Sequence, residues 1–443
     1  MVRTAKGKGI RSGPAVDQAG LRRILDKALR RITPDDEHVA AASKFVNQLN
    51  KELARRNILA RAMVGGSTAK GTFLKGDHDV DVFVRFNNRV YKARSDELSD
   101  LLEGALPEGT ERIHGSRDYF QAKRDGLLFE IVPVLSIAKA ADAVNVTDAS
   151  PLHVAYVLDR LKKRPRLAAD IRLAKQFCKA AKVYGAESYI NGFSGHVIDL
   201  LVFRYGGFIP LLNAVRSWRA PVVLDPEKHH KDPLFALDKA KRLGPLILVD
   251  PIQPTRNAAA ALAQEKFDRF REAAASFLEK PALKFFTVEP LTPTRVKDEY
   301  AKRNGSFGVP TRLFLLESKP LEGKDDVVAT KLLKAHERIV AQARRAGFDV
   351  LDEGFEYNRK ARTAIHYYVF PAKALSVTEE RAGPPVRAKK DAMRFREKHP
   401  NAYERKGRLY AKEKRAHRTP MSFLAAAVTD PYVKERVARI RKA

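Results

Sequence analysis

The chain has 443 residues, 44% of them hydrophobic, which is enough for two to four domains with sizeable cores. Its 83 Lys and Arg against 53 Asp and Glu leave a net charge of +30, a field that favours a polyanionic partner, nucleic acid above all. A single cysteine, Cys178, excludes an internal disulfide and a multi-cysteine zinc site and suits a reducing cytoplasm, and no apolar run reaches the ~18 residues of a membrane span.

The first residues, MVRTAKGKGIRSGP, are basic without an apolar stretch and read as a mobile arm, not a signal peptide. Residues 18–58 are predicted helical, with Leu21, Leu25, Ala28 and Leu29, then Phe45, Leu49 and Leu53, at helical spacing. Residues 59–135 read as a mixed sheet. Residues 152–278 read as helical, with Leu158, Leu161, Leu173, Phe177, Val197, Leu200 and Leu201 in the core and Cys178 beside them. The Ala-rich run Asn257 to Ala263 is expected to open a further helix. Around 279–380 strands (LKFFTVEPL, TRLFLLES, AIHYYVFP) alternate with a helix through Lys331–Ala346, the pattern of a separate α+β domain. Residues 381–443 carry 19 Lys/Arg against 6 Asp/Glu, a net of +13, in helix-like runs at Tyr403–Arg418 and Pro431–Lys442. Phe395, Tyr403 and Tyr410 in this stretch could stack on bases or ribose while its cations bind phosphates.

The most informative stretch is Gly65 to Val84, GGSTAKGTFLKGDHDVDVFV. It reads as a Gly-Ser turn at the end of a strand, a short helix, and a strand with alternate aspartates. Asp79 and Asp81 are two residues apart, so on a strand they share one face while Val80, Val82 and Val84 point to the core. Two carboxylates held this close repel unless a cation neutralises them, which is how a site for one or two Mg²⁺ ions is built. Gly65 and Gly66 let backbone N–H groups approach a phosphate, Ser67 adds a hydroxyl and Lys70 a charge, so the lead-in reads as a triphosphate cradle. No GxxxxGK[ST] occurs, so it is not a Walker A loop. A third carboxylate is expected from a neighbouring strand, and Glu130 is the only acid in Leu127 to Val134. Leu128 and Val132 would share its face, with Phe129 and Ile131 behind. Asp125, in the turn Arg124-Asp125-Gly126, is the alternative acid.

These residues resemble the DNA polymerase β-like nucleotidyltransferases: G-S, then D-x-D, then a later acidic strand. The chain is further similar to the archaeal (class I) CCA-adding tRNA nucleotidyltransferases, through LFEIVPV (128–134), SPLH (150–153), RLAKQFCKAAKVY (172–184), GFSGHVIDLL (192–201), DPIQPTRNAAAAL (250–262) and GPPV (383–386), in family order. The resemblance covers nearly the whole chain. It implies an α+β multidomain fold: a nucleotidyltransferase head with a mixed sheet (1–152), a helical neck (153–278), an α+β body (279–380) and a basic RNA-binding tail (381–443).

It also implies the chemistry. C, C and A would be added in turn to the tRNA 3′ end, from CTP and ATP, by two-metal phosphoryl transfer with Mg²⁺. Asp79 and Asp81 would bridge both ions and Glu130 would touch the ion on the primer side. The family has Asp where Glu130 stands, one methylene shorter. Lys175 and Tyr184 would face the triphosphate, His153 the sugar or phosphate, and Arg256 the base or RNA phosphate, beside Ser67 and Lys70. The partners are then tRNA and the two nucleotides, with no membrane and a homodimer left open, in the cytoplasm. The rival readings are a poly(A)-adding type of RNA 3′-nucleotidyltransferase and a non-catalytic RNA-binding protein. Glu130 alone favours the latter; Ser67, Lys70, Asp79 and Asp81 argue against it.

Overall fold

A computed structural model describes residues 18–443, so the basic N-terminal arm lies outside the described residues. The two apolar repeats form α1 (Gln18–Ile32) and α2 (Asp36–Arg55). Ala28 and Ile32 of α1 enter a helical core, whereas Phe45, Leu49 and Leu53 of α2 pack under a sheet. After them come β1 (Ala60–Val64), α3 (Gly66–Ala69), β2 (Asp79–Phe86), α4 (Asn88–Tyr91), α5 (Leu98–Glu103), β3 (Glu111–Ile113), β4 (Tyr119–Arg124) and β5 (Leu127–Leu135). The five strands form one sheet in the order β1-β2-β5-β4-β3, with β2 and β5 parallel and the other neighbours antiparallel, the mixed sheet expected.

Strand alternation decides which side of this sheet is free. Val80, Val82, Val84, Phe129 and Ile131 are buried on one face, where the Phe45 and Phe129 rings stack 4.0 Å apart. Asp79, Asp81, Leu128, Glu130 and Val132 take the other face. The end of β5 is pinned by Asp148, which accepts from Leu135 N at 2.9 Å and forms a buried ion pair with Arg117 at 2.5 Å.

A helical layer follows: α6 (Ser150–Lys163), α7 (Leu167–Ala180), α8 (Gly195–Tyr205) and α9 (Phe208–Val215). Then come β6 (Val222–Leu224), α10 (Pro233–Ala236), β7 (Leu246–Leu248) and α11 (Gln264–Glu279). Phe177 sits at the centre of its core, in edge contact with Phe208, Phe270 and Phe277, and Cys178 is buried beside it. The parallel pair of β6 and β7 was not expected from the sequence. The run Asn257 to Ala263 does not open a helix. The buried Asn257 side chain accepts from Leu248 N and Ala259 N, holding the run in turns, and α11 begins only at Gln264.

The chain divides into two compact units, one up to Val288 and one over Glu289–Ala443. The second contains α12 (Pro293–Arg303), β8 (Thr311–Lys319), α13 (Asp325–Arg345), β9 (Asp352–Asn358), β10 (Thr363–Pro371) and β11 (Thr378–Pro385). It continues with α14 (Lys389–Lys398), β12 (Tyr403–Arg405), β13 (Arg408–Lys414), α15 (Pro420–Ala427), α16 (Pro431–Lys434) and β14 (Arg439–Lys442). Its sheets run β14-β8-β10-β9 and β11-β13-β12.

Three predicted elements are corrected here. LKFFTVEPL is no strand: Leu283–Phe286 is a 3₁₀ turn that buries Phe286 in the helical core. Tyr403–Arg418 is a hairpin, because Lys406 and Gly407 both take positive φ between two strands, and alternation then buries Leu409 and Ala411. Pro431–Lys442 holds only the short α16 before β14, which pairs Ile440 with Ser318 at the edge of β8. The basic tail thus closes the sheet of the α+β body. Among the described residues no single helix is long and apolar enough to cross a membrane.

Candidate functional site

The parallel ladder between β2 and β5 sets Asp79 opposite Leu128 and Asp81 opposite Glu130. Residues opposed across a ladder share a face, so three carboxylates from two adjacent strands meet on the face left free by the core. Gln121 of β4 donates to Glu130 Oε1 at 2.9 Å and fixes its direction. Gly66 covers Asp81: it has φ +53°, and a Cβ there would fall 1.6 Å from Asp81 Oδ2. Only glycine fits that position. Burial raises the Asp81 carboxyl above the ordinary carboxylate range, against the pull of the Lys70 ammonium and with the push of Asp79. Asp125 is elsewhere. It has φ +51° in the β4–β5 turn and lines a cavity of about 350 Å³ with Asp35, His38 and Asp77.

Ser67 lies in the first turn of α3 and Lys70 caps its end. Lys70 Nζ forms a 2.5 Å ion pair with Asp199 Oδ2, on α8. Lys175 of α7 stands 3.6 Å from the other oxygen of Asp199 and donates to Thr72 Oγ1 at 3.0 Å. Asp199 and Lys175 are buried. Burial lowers the Lys175 ammonium to about 8, partly offset by Asp199. Burial also opposes ionisation of Asp199, but the two lysines outweigh it and hold its carboxyl below the ordinary range. Tyr184 closes the same corner. A Cβ on Gly195 would lie 3.1 Å from the Tyr184 hydroxyl and 3.8 Å from Lys175 Nζ, so both groups converge on the first turn of α8. The GFSG motif makes that convergence: a Cβ on Gly192 would meet Val183 O at 2.2 Å, Phe193 bridges to Tyr184, and Ser194 caps α8 by accepting from Val197 N.

His153 and Arg256 belong to a second cluster, organised by Asp250. His153 Nε2 donates to Asp250 at 2.9 Å and Arg256 Nη1 at 3.1 Å. Asp250 is fully buried, yet its carboxyl is held at about 2, because the hydrogen bond and charge of His153 and the hydrogen bond from Ile252 N outweigh desolvation. His196 stands edge-on to His153 with centroids 4.7 Å apart, and burial keeps it neutral, near 4. The guanidinium of Arg256 is half exposed and available to a ligand. Helix α8 joins the two clusters, presenting His196 to one and Asp199, three residues on, to the other.

Asp199, Asp250 and His196 are the residues that sequence reasoning passed over. The signal was present: Asp199 is the lone acid in the apolar run VIDLL, and Asp250 opens DPIQPTRN.

Three family models match the chain: a nucleotidyltransferase domain over residues 46–138, the second domain of tRNA nucleotidyltransferase over 169–287, and the C-terminal domain of the CCA-adding enzyme over 314–435. Among curated proteins it is similar to the CCA-adding enzyme of Halorubrum lacusprofundi, 32% identical over 395 residues, covering 86% of this chain and 81% of that one. It is also similar to the CCA-adding enzyme of Nanoarchaeum equitans, 31% identical, covering 85% and 90%. Among solved structures a cytoplasmic RNA terminal U-transferase superposes with a TM-score of 0.50 at 14% identity, over 62% of this chain and 100% of that one, a likeness of fold.

Proposed function

Because the chain belongs to the archaeal CCA-adding enzyme family of tRNA nucleotidyltransferases, we propose that Asp79, Asp81 and Glu130 form its catalytic face, and that Ser67, Lys70, His153, Lys175, Tyr184 and Arg256 bind the incoming nucleotide. The activity is template-independent addition of C, C and A to the tRNA 3′ end, from CTP and ATP, with release of pyrophosphate. The observation that carries the site is the β2–β5 register, which sets Asp81 beside Glu130 two residues along from Asp79.

Three carboxylates under a glycine turn offer hard oxygen donors, which fit a divalent cation such as Mg²⁺. Held by Asp79, Asp81 and Glu130, such a cation would supply charge neutralisation for the triphosphate and would acidify the RNA 3′-hydroxyl. The rest falls to the chain's own groups. The 3′-oxygen attacks the α-phosphorus and the α–β anhydride bond breaks. Lys70 and Lys175 turn from Asp199 toward the triphosphate charge, with the Tyr184 hydroxyl beside them. His153 and Arg256, held by Asp250, bracket the nucleoside end. The fourfold division into head (1–152), neck (153–278), body (279–380) and basic tail (381–443) is part of this reading, with the tail as an RNA grip. So is a cytoplasmic setting, where the lone thiol of Cys178 stays reduced; sedimentation would tell one chain from a homodimer.

The test is incorporation. With tRNA lacking its CCA, CTP, ATP and Mg²⁺, sequencing of product ends should show C, C and A in order. Asp79→Ala and Asp81→Ala should abolish addition with the fold intact. Near-normal turnover by either variant would sink the site. Glu130→Gln should be far slower than wild type and Glu130→Asp active. An unaffected Glu130→Gln with a dead Asp125→Asn would show that the wrong acid was chosen.

A further inference from the structure

The segment between β6 and β7 is an excursion of about twenty residues from a two-stranded ladder, and the activity described above does not account for it. Its base is fixed. Leu237 is buried against Ile247 and Val249, and the Asn257 amide donates to Lys241 O at 2.9 Å. His229 and His230 donate their ring N–H groups to Pro251 O at 3.1 Å and Pro254 O at 2.8 Å. These carbonyls belong to the loop that carries Asp250 and Arg256. The excursion is therefore anchored on the same loop that holds two of the residues of the nucleotide pocket proposed above.

Its tip is built and then left open. Asp232 caps α10 by accepting from Leu234 N and Phe235 N, and Arg242 donates to Leu234 O, drawing both sides of the excursion together. This local bonding holds Phe235 outward, 88% exposed, and Leu243, next to Arg242, is 79% exposed. The excursion, residues 225–245, carries five Lys and Arg against four acids, a net of +1, and each acid is engaged: Asp225 accepts from His230 N, Glu227 pairs with Arg160, Asp232 serves as the cap and Asp238 pairs with Lys241. A lone exposed aromatic is ordinary. An outward aromatic beside a cap, on a segment that also carries Lys228, Lys231, Lys239 and Arg242 and is rooted on the loop of Asp250 and Arg256, matches the chemistry that takes single-stranded nucleic acid: a π-face for a base and positive charge for the backbone.

We propose that Phe235 is a stacking platform for an unpaired base near the 3′ end of the RNA substrate, with cations of the same segment on the flanking phosphates. The proposal rests on the reading of the Asp250–Arg256 loop as part of the nucleotide pocket. The favoured occupant is the RNA, by charge complementarity in a chain of net charge +30; a protein partner or a second copy is an outcome of the test.

The experiment compares Phe235→Ala, Phe235→Trp and wild type as full chains, on tRNA lacking its CCA. Base-on-aromatic stacking predicts that Phe235→Ala raises the KM for tRNA by about tenfold or more, and that Phe235→Trp restores it. The KM for CTP should stay within about twofold, and the salt dependence of tRNA binding should keep its slope, since a phenyl ring binds no phosphate. A 2-aminopurine placed near the RNA 3′ end should be quenched on binding by wild type and by Phe235→Trp, less by Phe235→Ala. An unchanged melting temperature, expected of so exposed a side chain, excludes misfolding. Wild-type tRNA KM and quenching in Phe235→Ala overturn the proposal, as does a changed sedimentation coefficient with unchanged tRNA binding, which would make the patch a protein interface. Failure of the pocket reading is separate: it would show as an unchanged KM for CTP in Arg256→Ala, whatever Phe235 does.

Discussion

The two units each bury a cluster of polar side chains, and the clusters differ in one respect. In the first unit Asp199 faces the ammonium groups of Lys70 and Lys175, and the cluster is incomplete: Asp199 Oδ1 and, on the neighbouring α3, Thr68 Oγ1 are buried without a hydrogen-bond partner. In the second unit Ser318 Oγ meets His366 Nε2 at 2.7 Å, and His366 Nδ1 meets His336 Nδ1 at 3.4 Å. His336 then meets the Tyr368 hydroxyl at 3.0 Å and Glu353 at 2.6 Å. Burial, then the neighbouring His336, pushes His366 well below the ordinary histidine range, so this chain is neutral at His366 and satisfied along its length. Buried groups left unpaired are costly and call for a reason. The open cluster lies beside the acidic face, and its two ammonium groups and the Thr68 hydroxyl, not the free Asp199 oxygen, are the groups that can meet an anionic ligand; the closed one specifies the packing of α13 on β8 and β10.

The comparison breaks most visibly at Asp81. Burial disfavours its charge in the folded state, so Asp81→Asn removes a cost at pH 7 while deleting one of the three carboxylates proposed to hold the divalent cation. We expect kcat to fall by about a thousandfold or more, several kcal/mol of charge stabilisation, with the melting temperature unchanged or raised. A variant both active and less stable would show that Asp81 is structural. Next comes Asp199→Asn. It leaves two lysines facing a neutral amide in the interior and should cost about 3–5 kcal/mol in denaturant unfolding. Ser318→Ala in the closed cluster removes one neutral partner of His366 and should cost about 1–3 kcal/mol, with an unaltered KM for CTP. If Ser318→Ala costs as much as Asp199→Asn, charge is not what separates the clusters.

A pH profile sharpens the same point. The Lys175 ammonium is lowered to about 8, so in the free enzyme it is charged below pH 8 and neutral above. Since kcat/KM reports free-enzyme ionisations, its value for CTP should fall on the alkaline side of pH 8, by up to about tenfold per pH unit. Lys175→Arg should move that limb above pH 10. A flat profile between pH 7 and 9.5 would remove Lys175 from the groups that hold the triphosphate.

The acidic face was legible because strand alternation and sequence spacing carry the same information: Asp79 and Asp81 had to share a face, and the valines between them had to be core. Glu130 was legible as the lone acid of its strand, though only the ladder shows that it stands opposite Asp81 and not Asp79. The partners of the lysines were not legible. Lys70 pairs with Asp199 across 129 residues, and no local pattern marks such a pairing. The basic tail misled for a different reason. Its spaced cations suit a helix or a hairpin equally, and the turn at Lys406-Gly407 together with the long-range pairing of Ile440 with Ser318 settled it as strand.

That strand pairing decides how the tail can be tested. Cutting the chain near Ala382 would remove β13 from one sheet and β14 from the edge of β8, so a loss of RNA binding would report a loss of folding. Charge must be removed without backbone. Helix α14 offers Lys389, Lys390 and Arg394, all exposed, on a helix whose Ala392 is buried. Each phosphate neutralised by a cation contributes about 0.7–0.9 to the magnitude of the slope of log affinity against log salt. Changing each of the three to Gln should therefore lower that magnitude by about 0.7–0.9 for every phosphate the side chain neutralises, a modest effect at any one salt concentration. The KM for CTP should not move, because nucleotide binding is assigned to residues of the first unit. The three changes made together should act additively, being exposed charges with no shared partner. Unchanged slopes would show that α14 does not touch the RNA backbone, and would leave the second unit with a closed interior and a surface whose charge serves another end.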